Sequence, residues 1–145
     1  MEYGLHSDVE VRTAITPTDG AAAGASTVSA EIDTLDRESL TWLVTVGTIT
    51  TGTFTLLLEE SEDDGSGAAD GVWTTVVADE QLGADVSWIV TDDDQSRRVG
   101  SIGKKRHQRV TIVGASTPVA DFAAVALLGH PKRTVGDQSV AETPV

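Results

Sequence analysis

The chain has 145 residues, enough for one domain with a core of its own. Its 10 Lys and Arg against 23 Asp and Glu leave a formal net charge of −13, which argues against nucleic acid as the main partner, because phosphate contacts are made chiefly by Lys and Arg. Without cysteine there are no disulfides or thiolate metal sites, and the sequence lacks the run of about 18 apolar residues that would predict a membrane helix.

The start of the chain, Met1 to Leu5, lacks the basic opening and apolar core of a secretory signal, so synthesis in a cytoplasm is expected. Residues 1–8 have no partner run and read as an N-terminal arm. Alternation then begins. Val9, Val11 and Ile15 interleave with Glu10 and Arg12, and Val28, Ala30 and Ile32 with Ser29 and Glu31. Between these runs, Thr18-Asp19-Gly20 has the chemistry of a turn. The segment 33–39 could hold a helical turn, but a loop is the better reading. Leu40, Trp42, Val44 and Val46 share one face of a strand, and Phe54, Leu56, Leu58 and Glu60 share one face of another. Gly47 to Gly52 is expected to turn between them. A period of two marks a half-buried strand, and Val, Ile, Thr and Trp suit a pleated surface.

The acidic stretch Glu62-Asp63-Asp64-Gly65 leads towards Trp73-Thr74-Thr75-Val76-Val77, giving a strand, a loop and a returning strand. Trp88 lies between Val86 and Val90, and Asp92-Asp93-Asp94 punctuates the chain after this run. Arg97 to Ile102 and His107 to Val113 are expected to form a hairpin turning at Gly103-Lys104. Val119 to Leu128 is rich in alanine and could be a helix ending at Gly129. The β surroundings favour a strand with Phe122, Ala124, Ala126 and Leu128 on one face. Residues 131–145, with Pro131 and Pro144, read as a C-terminal tail. The fold class is therefore all-β: a single β-sandwich or barrel of about eight strands over residues 9–130, with extended N- and C-terminal arms.

The chemistry-bearing residues do not assemble into a catalytic or metal motif. Glu59, Glu60, Glu62, Asp63, Asp64 and Asp70 are hard oxygen donors suited to calcium. The EF-hand pattern fails, since a loop counted from Glu60 has Gly71 where the closing Glu should stand. The plain reading is a solvated hairpin tip. His6, His107 and His130 lack ligand spacing, and there is no nucleophile elbow, P-loop or zincin motif. No catalytic residue, metal or cofactor is expected. Trp42 and Trp88 read as core, because large aromatics dominate sandwich interiors. The neighbours of Trp73 do not fix its face. Arg97, Arg98, Lys104, Lys105, Arg106 and Arg109 hold six of the ten basic residues. They are candidates either for a charged partner surface or for neutralising the chain's own acidic loops.

The run Leu57-Leu58-Glu59-Glu60-Ser61, then Asp64-Gly65 and Trp73 to Val76, resembles a group of small tailed-bacteriophage virion proteins. So do the later stretches Arg98 to Val110 and Leu127 to Pro131, and a start like Asp8 to Arg12. The resemblance covers most of the chain. It implies a protein encoded near the major capsid protein, with a structural place in the virion. A capsid decoration or cement protein on the capsid exterior is the resulting expectation. Its partners would be the major capsid protein and copies of itself, for instance as a trimer at three-fold positions, with neither nucleic acid nor membrane. The contact candidates are Tyr3, Leu5, Val9 and Val11 of the arm together with the six basic residues. A head–tail connector or tail component is the alternative, and a carbohydrate-binding sandwich with Trp73 exposed is a third class.

Overall fold

The computed structural model describes residues 9–17 and 26–131. Within them the chain is nearly all β, one antiparallel sheet of nine strands. These are β1 (Val9–Ile15), β2 (Thr27–Val28), β3 (Ile32–Asp33), β4 (Arg37–Ser61), β5 (Thr74–Thr75), β6 (Gln81–Leu82), β7 (Ser87–Trp88), β8 (Ser96–Ser101) and β9 (His107–Pro131). A single 3-10 turn, Ala78–Glu80, precedes β6.

The spine is β4 against β9, each 25 residues long. The first half pairs Arg37–Val46 with Phe122–Pro131, and the second pairs Thr53–Ser61 with His107–Ala115. Across the first half the strand order is β1-β9-β4-β8-β6. Along the second half, β2 and β3 join β9, while β5 and β7 join β4. The register makes the core. Leu40, Trp42, Val44 and Val46 stand opposite Leu128, Ala126, Ala124 and Phe122, while Leu56 and Leu58 stand opposite Ile112 and Val110. All are buried in one cluster that draws on both halves. Phe122 of the first half meets Phe54 and Trp88 of the second edge-on, with ring centroids 4.9 and 5.4 Å apart. Each such pair adds about 0.5–1.5 kcal/mol beyond its buried area. The two halves thus turn the same face inward.

Backbone bonds tie the halves at both edges. The Ala30 N–H donates to Ala14 O at 2.8 Å on one side. On the other, the Val76 N–H bonds Leu58 O, and the chain then crosses to lie on β8 as β6.

Three expectations need correction. The strands at 40–46 and 53–61 are not separated by a turn, nor are those at 107–113 and 119–128. Each pair is one continuous strand with a shared kink, where the register slips between Val46 and Thr53. On β9 the kink is made by Ser116 and Thr117 at φ of 62° and 51° and by the buried Pro118. Because β4 and β9 bend at the same level, pairing resumes beyond the kink. Secondly, Arg97 to Val113 is not a hairpin. β8 pairs with β4 and β6, and β9 takes the opposite edge of β4. The segment 102–106 therefore crosses from one side of β4 to the other. Thirdly, the alternation of β1 is not unbroken, so Val9 and Val11 do not share the face of Ile15. Glu10 and Arg12 stand opposite the inward Leu128 and Ala126, and a register slip after Thr13 brings only Ala14 and Ile15 inside. Tyr3, Leu5 and the tail beyond Pro131 lie outside the described residues.

The kink depends on Gly52, at φ 91°, where an added Cβ would lie 2.6 Å from Pro118 Cα and 2.7 Å from Ala115 O. Both obstacles are backbone atoms and cannot swing aside. Gly52→Ala should destabilise the fold by about 2–4 kcal/mol through overpacking and left-handed strain. Urea unfolding checks this, with Gly71→Ala, a positive-φ glycine in open space, costing clearly less.

Candidate interaction surface

The two halves expose different outer faces. On the second half the acidic loop does not project as a free tip; it folds back onto the sheet. Asp63 Oδ2 accepts from Arg106 Nη1 at 2.5 Å and lies 3.4 Å from His107 Nε2. The Ala69 N–H reaches Glu31 Oε1 at 3.3 Å, and Asp70 accepts from the Ser61 hydroxyl at 2.7 Å. Asp63 and Asp64 also cap their own loop, through the Gly65 N–H and through Ser66. Trp73 is half-buried with the Arg109 guanidinium 4.1 Å from its ring centroid. One face of the indole is therefore occupied, a poor start for a sugar platform.

The basic residues divide accordingly. Arg106 bonds Asp33 through two nitrogens, at 2.9 and 2.6 Å, besides Asp63. Arg109 pairs with Glu59 at 2.9 Å, and the Thr111 hydroxyl donates to the same carboxylate at 2.5 Å. Lys104 meets Glu80 at 2.5 Å, while Lys105 donates to the Thr74 hydroxyl at 2.9 Å. Arg97 meets Asp92 at 3.2 Å, donates to Ser87 O and lies over Trp88. Arg98 alone of the six has no partner among the described residues. Five of the candidates thus serve the chain's own acidic and polar groups, and the carboxyls of Asp33, Glu59 and Asp63 are lowered by their surroundings. The Arg106 bonds hold Asp33 at about 2, well below the usual carboxylate range. Burial pushes Glu59 up, but the bonds from Arg109 and Thr111 more than offset it and leave it lowered. Asp63 is lowered first by the Gly65 N–H, then by His107 and Arg106.

The outer face of the first half is built differently. Register places Val11, Leu127, Thr41, Gly100 and Leu82 in one row across five strands, and Thr13, Val125, Leu43 and Arg98 in the next. Val9 and Ser39 lie beyond one end, and Ala123, Thr45 and Ser96 beyond the other. Val11 is 61% exposed and Leu82 57%. Within these rows the only charge is Arg98. Gly100 lets Leu82 fold over the strand, since an added Cβ would lie 2.9 Å from Leu82 Cβ. Beside it, Thr41, Leu82, Gly83, Arg98 and Gly100 line a shallow depression of about 370 Å³. Sequence reasoning assigned Val9, Val11 and Arg98 to contacts but missed Leu43, Val125, Leu127 and Leu82. The available signal was that Leu40 to Val46 and Val125 to Leu128 carry apolar residues at both parities, which a one-sided strand does not need.

No family model matches the chain, and no curated protein matches it. Solved structures do. PBSX exported protein XepA matches with a TM-score of 0.59 at 17% identity, over 93% of this chain and 41% of that one. The chain therefore spans about two fifths of the length of XepA, and the likeness is one of fold. A subunit of Bacillus endospore appendages, disulfide-linked pili, matches at 0.43 and 11% identity over 86% of this chain and 90% of that one. The VP2 subviral particle of infectious bursal disease virus matches at 0.30 and 13% identity, over 94% and 43%. Among the described residues no helix is long and apolar enough to cross a membrane.

A carboxylate held down in the fold stabilises it above the unfolded value and loses that contribution as pH falls through the folded one. For Asp33 the window runs from an unfolded value of about 3.9 down to about 2. Arg106→Ala should therefore raise the midpoint of acid unfolding. Circular dichroism during acid titration checks this, and the difference between the two proteins should close near the bottom of that window.

Proposed function

We propose that this protein is a non-enzymatic virion structural protein that attaches to the outside of a capsid shell through the outer face of its first sheet half. The observation that carries this reading is the five-strand apolar face with one unpaired cation, on a chain whose other described Lys and Arg side chains are all bonded internally. Strand spacing of about 4.8 Å and four rows of side chains give the face roughly 400 Å². A patch of that size on a monomer is often functional. It is about half the roughly 800 Å² per partner of a standard stable complex, so a lone pair of copies joined by this face would be weak. A single face per copy gains nothing from avidity, so the segment leading into β1 has to add to the contact.

Charge also favours the shell over a second copy. Two copies would bring Arg98 to a face without an acid of its own, against the repulsion of two strongly acidic molecules. A shell surface with a carboxylate opposite Arg98 and an apolar patch beside it fits. Val9 and Val11 belong to this face, and Tyr3 and Leu5, in the segment leading into β1, extend the contact. Arg97, Lys104, Lys105, Arg106 and Arg109 act within the protein and contribute to binding only through the shape they hold.

Adding purified protein to particles that lack it provides the test. Leu43→Asp places a charge mid-face and should lower copies bound per particle at least roughly tenfold, while Arg98→Glu should weaken binding in a salt-dependent way. Thermal melts should be near wild type for both. Wild-type occupancy by Leu43→Asp would remove the face from the reading. A wild-type stoichiometry of about a dozen copies or fewer would point to a connector instead of a shell protein.

A further inference from the structure

We infer that His107 is a protonation-dependent clasp that holds the acidic loop down on the outer face of the second sheet half. His107 opens β9, and its side chain is 1% exposed although it faces outward, because the loop and the 31–33 segment close over it. Both ring nitrogens face carboxylates from separate elements. Nδ1 is 3.0 Å from Glu31 Oε1, before β3, and Nε2 is 3.4 Å from Asp63 Oδ2, in the loop. The Nδ1 contact has the distance of an ion pair without the alignment of a hydrogen bond. A neutral imidazole carries one proton and leaves one nitrogen lone pair against a carboxylate. The imidazolium answers both.

The surrounding charges fit this arrangement. Asp33 and Asp64 also feel the ring, and its positive charge is among the influences lowering both. Arg106 is the neighbouring like charge, but Asp33 and Asp63 share its guanidinium. Asp33, Asp63 and Asp64 are all held below the usual carboxylate range, so they stay ionised while an imidazole titrates. The clasp is therefore closed where the ring is charged and loosens as pH rises. Loosening frees the Glu31–Ala69 tie and the Asp63 anchor, and uncovers the part of the outer face that the loop shields. This device is independent of what the first half binds.

Amide exchange of the full-length chain, measured by NMR and corrected for intrinsic rate, reads the clasp over roughly pH 5 to 8. Protection at Gly65, Ala69 and Val72 should fall by roughly tenfold across that range, while Val110 in the core stays constant. In His107→Gln the loop amides should be weakly protected at every pH. Equal protection across the range in the wild type, or the same pH response in His107→Gln, would overturn the inference. Should that variant not fold, ring ¹⁵N shifts of the wild-type protein decide. Double protonation at low pH, lost in step with loop protection, supports the clasp; a ring neutral throughout refutes it.

Discussion

Everything in this fold depends on β4 and β9 staying paired through a bend. A flat sheet of this length could not bury one face against itself, and two separate sheets would need connections that the chain does not contain. Kinking both strands at the same level solves the problem. Gly52 supplies the left-handed residue on β4, while Ser116, Thr117 and Pro118 supply the irregular backbone on β9. The strain is confined to a few residues, and the result is a core in which Phe54, Trp88 and Phe122 meet across the fold.

Once the inner faces are buried, the two outer faces take opposite courses. The second half carries Arg106, His107 and Arg109, and the acidic loop folds down to meet them. Attraction between segments far apart in the chain hides much of that face and occupies Arg106 and Arg109. The first half carries apolar residues at both strand parities and so remains an uncovered apolar surface. An acidic chain with few cations thereby sets Arg106 against its acidic loop and, among the described residues, leaves Arg98 unpaired on the outer face of the first half.

Much of this is legible in the sequence, and the exceptions have physical causes. Alternation places Leu40 to Val46, Phe54 to Leu58 and Phe122 to Leu128 on their correct inner faces, and all-β follows. Trp42 and Trp88 are core, as their neighbours suggest. Gly47 to Gly52 reads as a turn because turn residues and bulge residues are the same types; only the partner strand decides between them. The supposed hairpin around Gly103 fails for a similar reason: proximity in sequence suggests pairing, but β4 has two edges and takes one strand on each. The bulge in β1 inverts Val9 and Val11, since one slipped residue exchanges the faces of a strand. The folding-back of the acidic loop rests on pairs such as Arg106 with Asp33 and Asp63, which lie too far apart in sequence for local patterning to reveal.

The pairing of β4 with β9 also has a consequence in time. Its near end joins Ser61 to His107, and its far end joins Arg37 to Pro131. The spine of the sheet therefore closes only after long loops have been drawn together, and little local structure forms beforehand to help. Chains dominated by such distant contacts fold in milliseconds to seconds, not microseconds. During that interval β4, with its apolar alternation, has unsatisfied edges on both sides. The high negative charge, which works against assembly of the finished protein, keeps unfinished copies apart while the two long strands find each other.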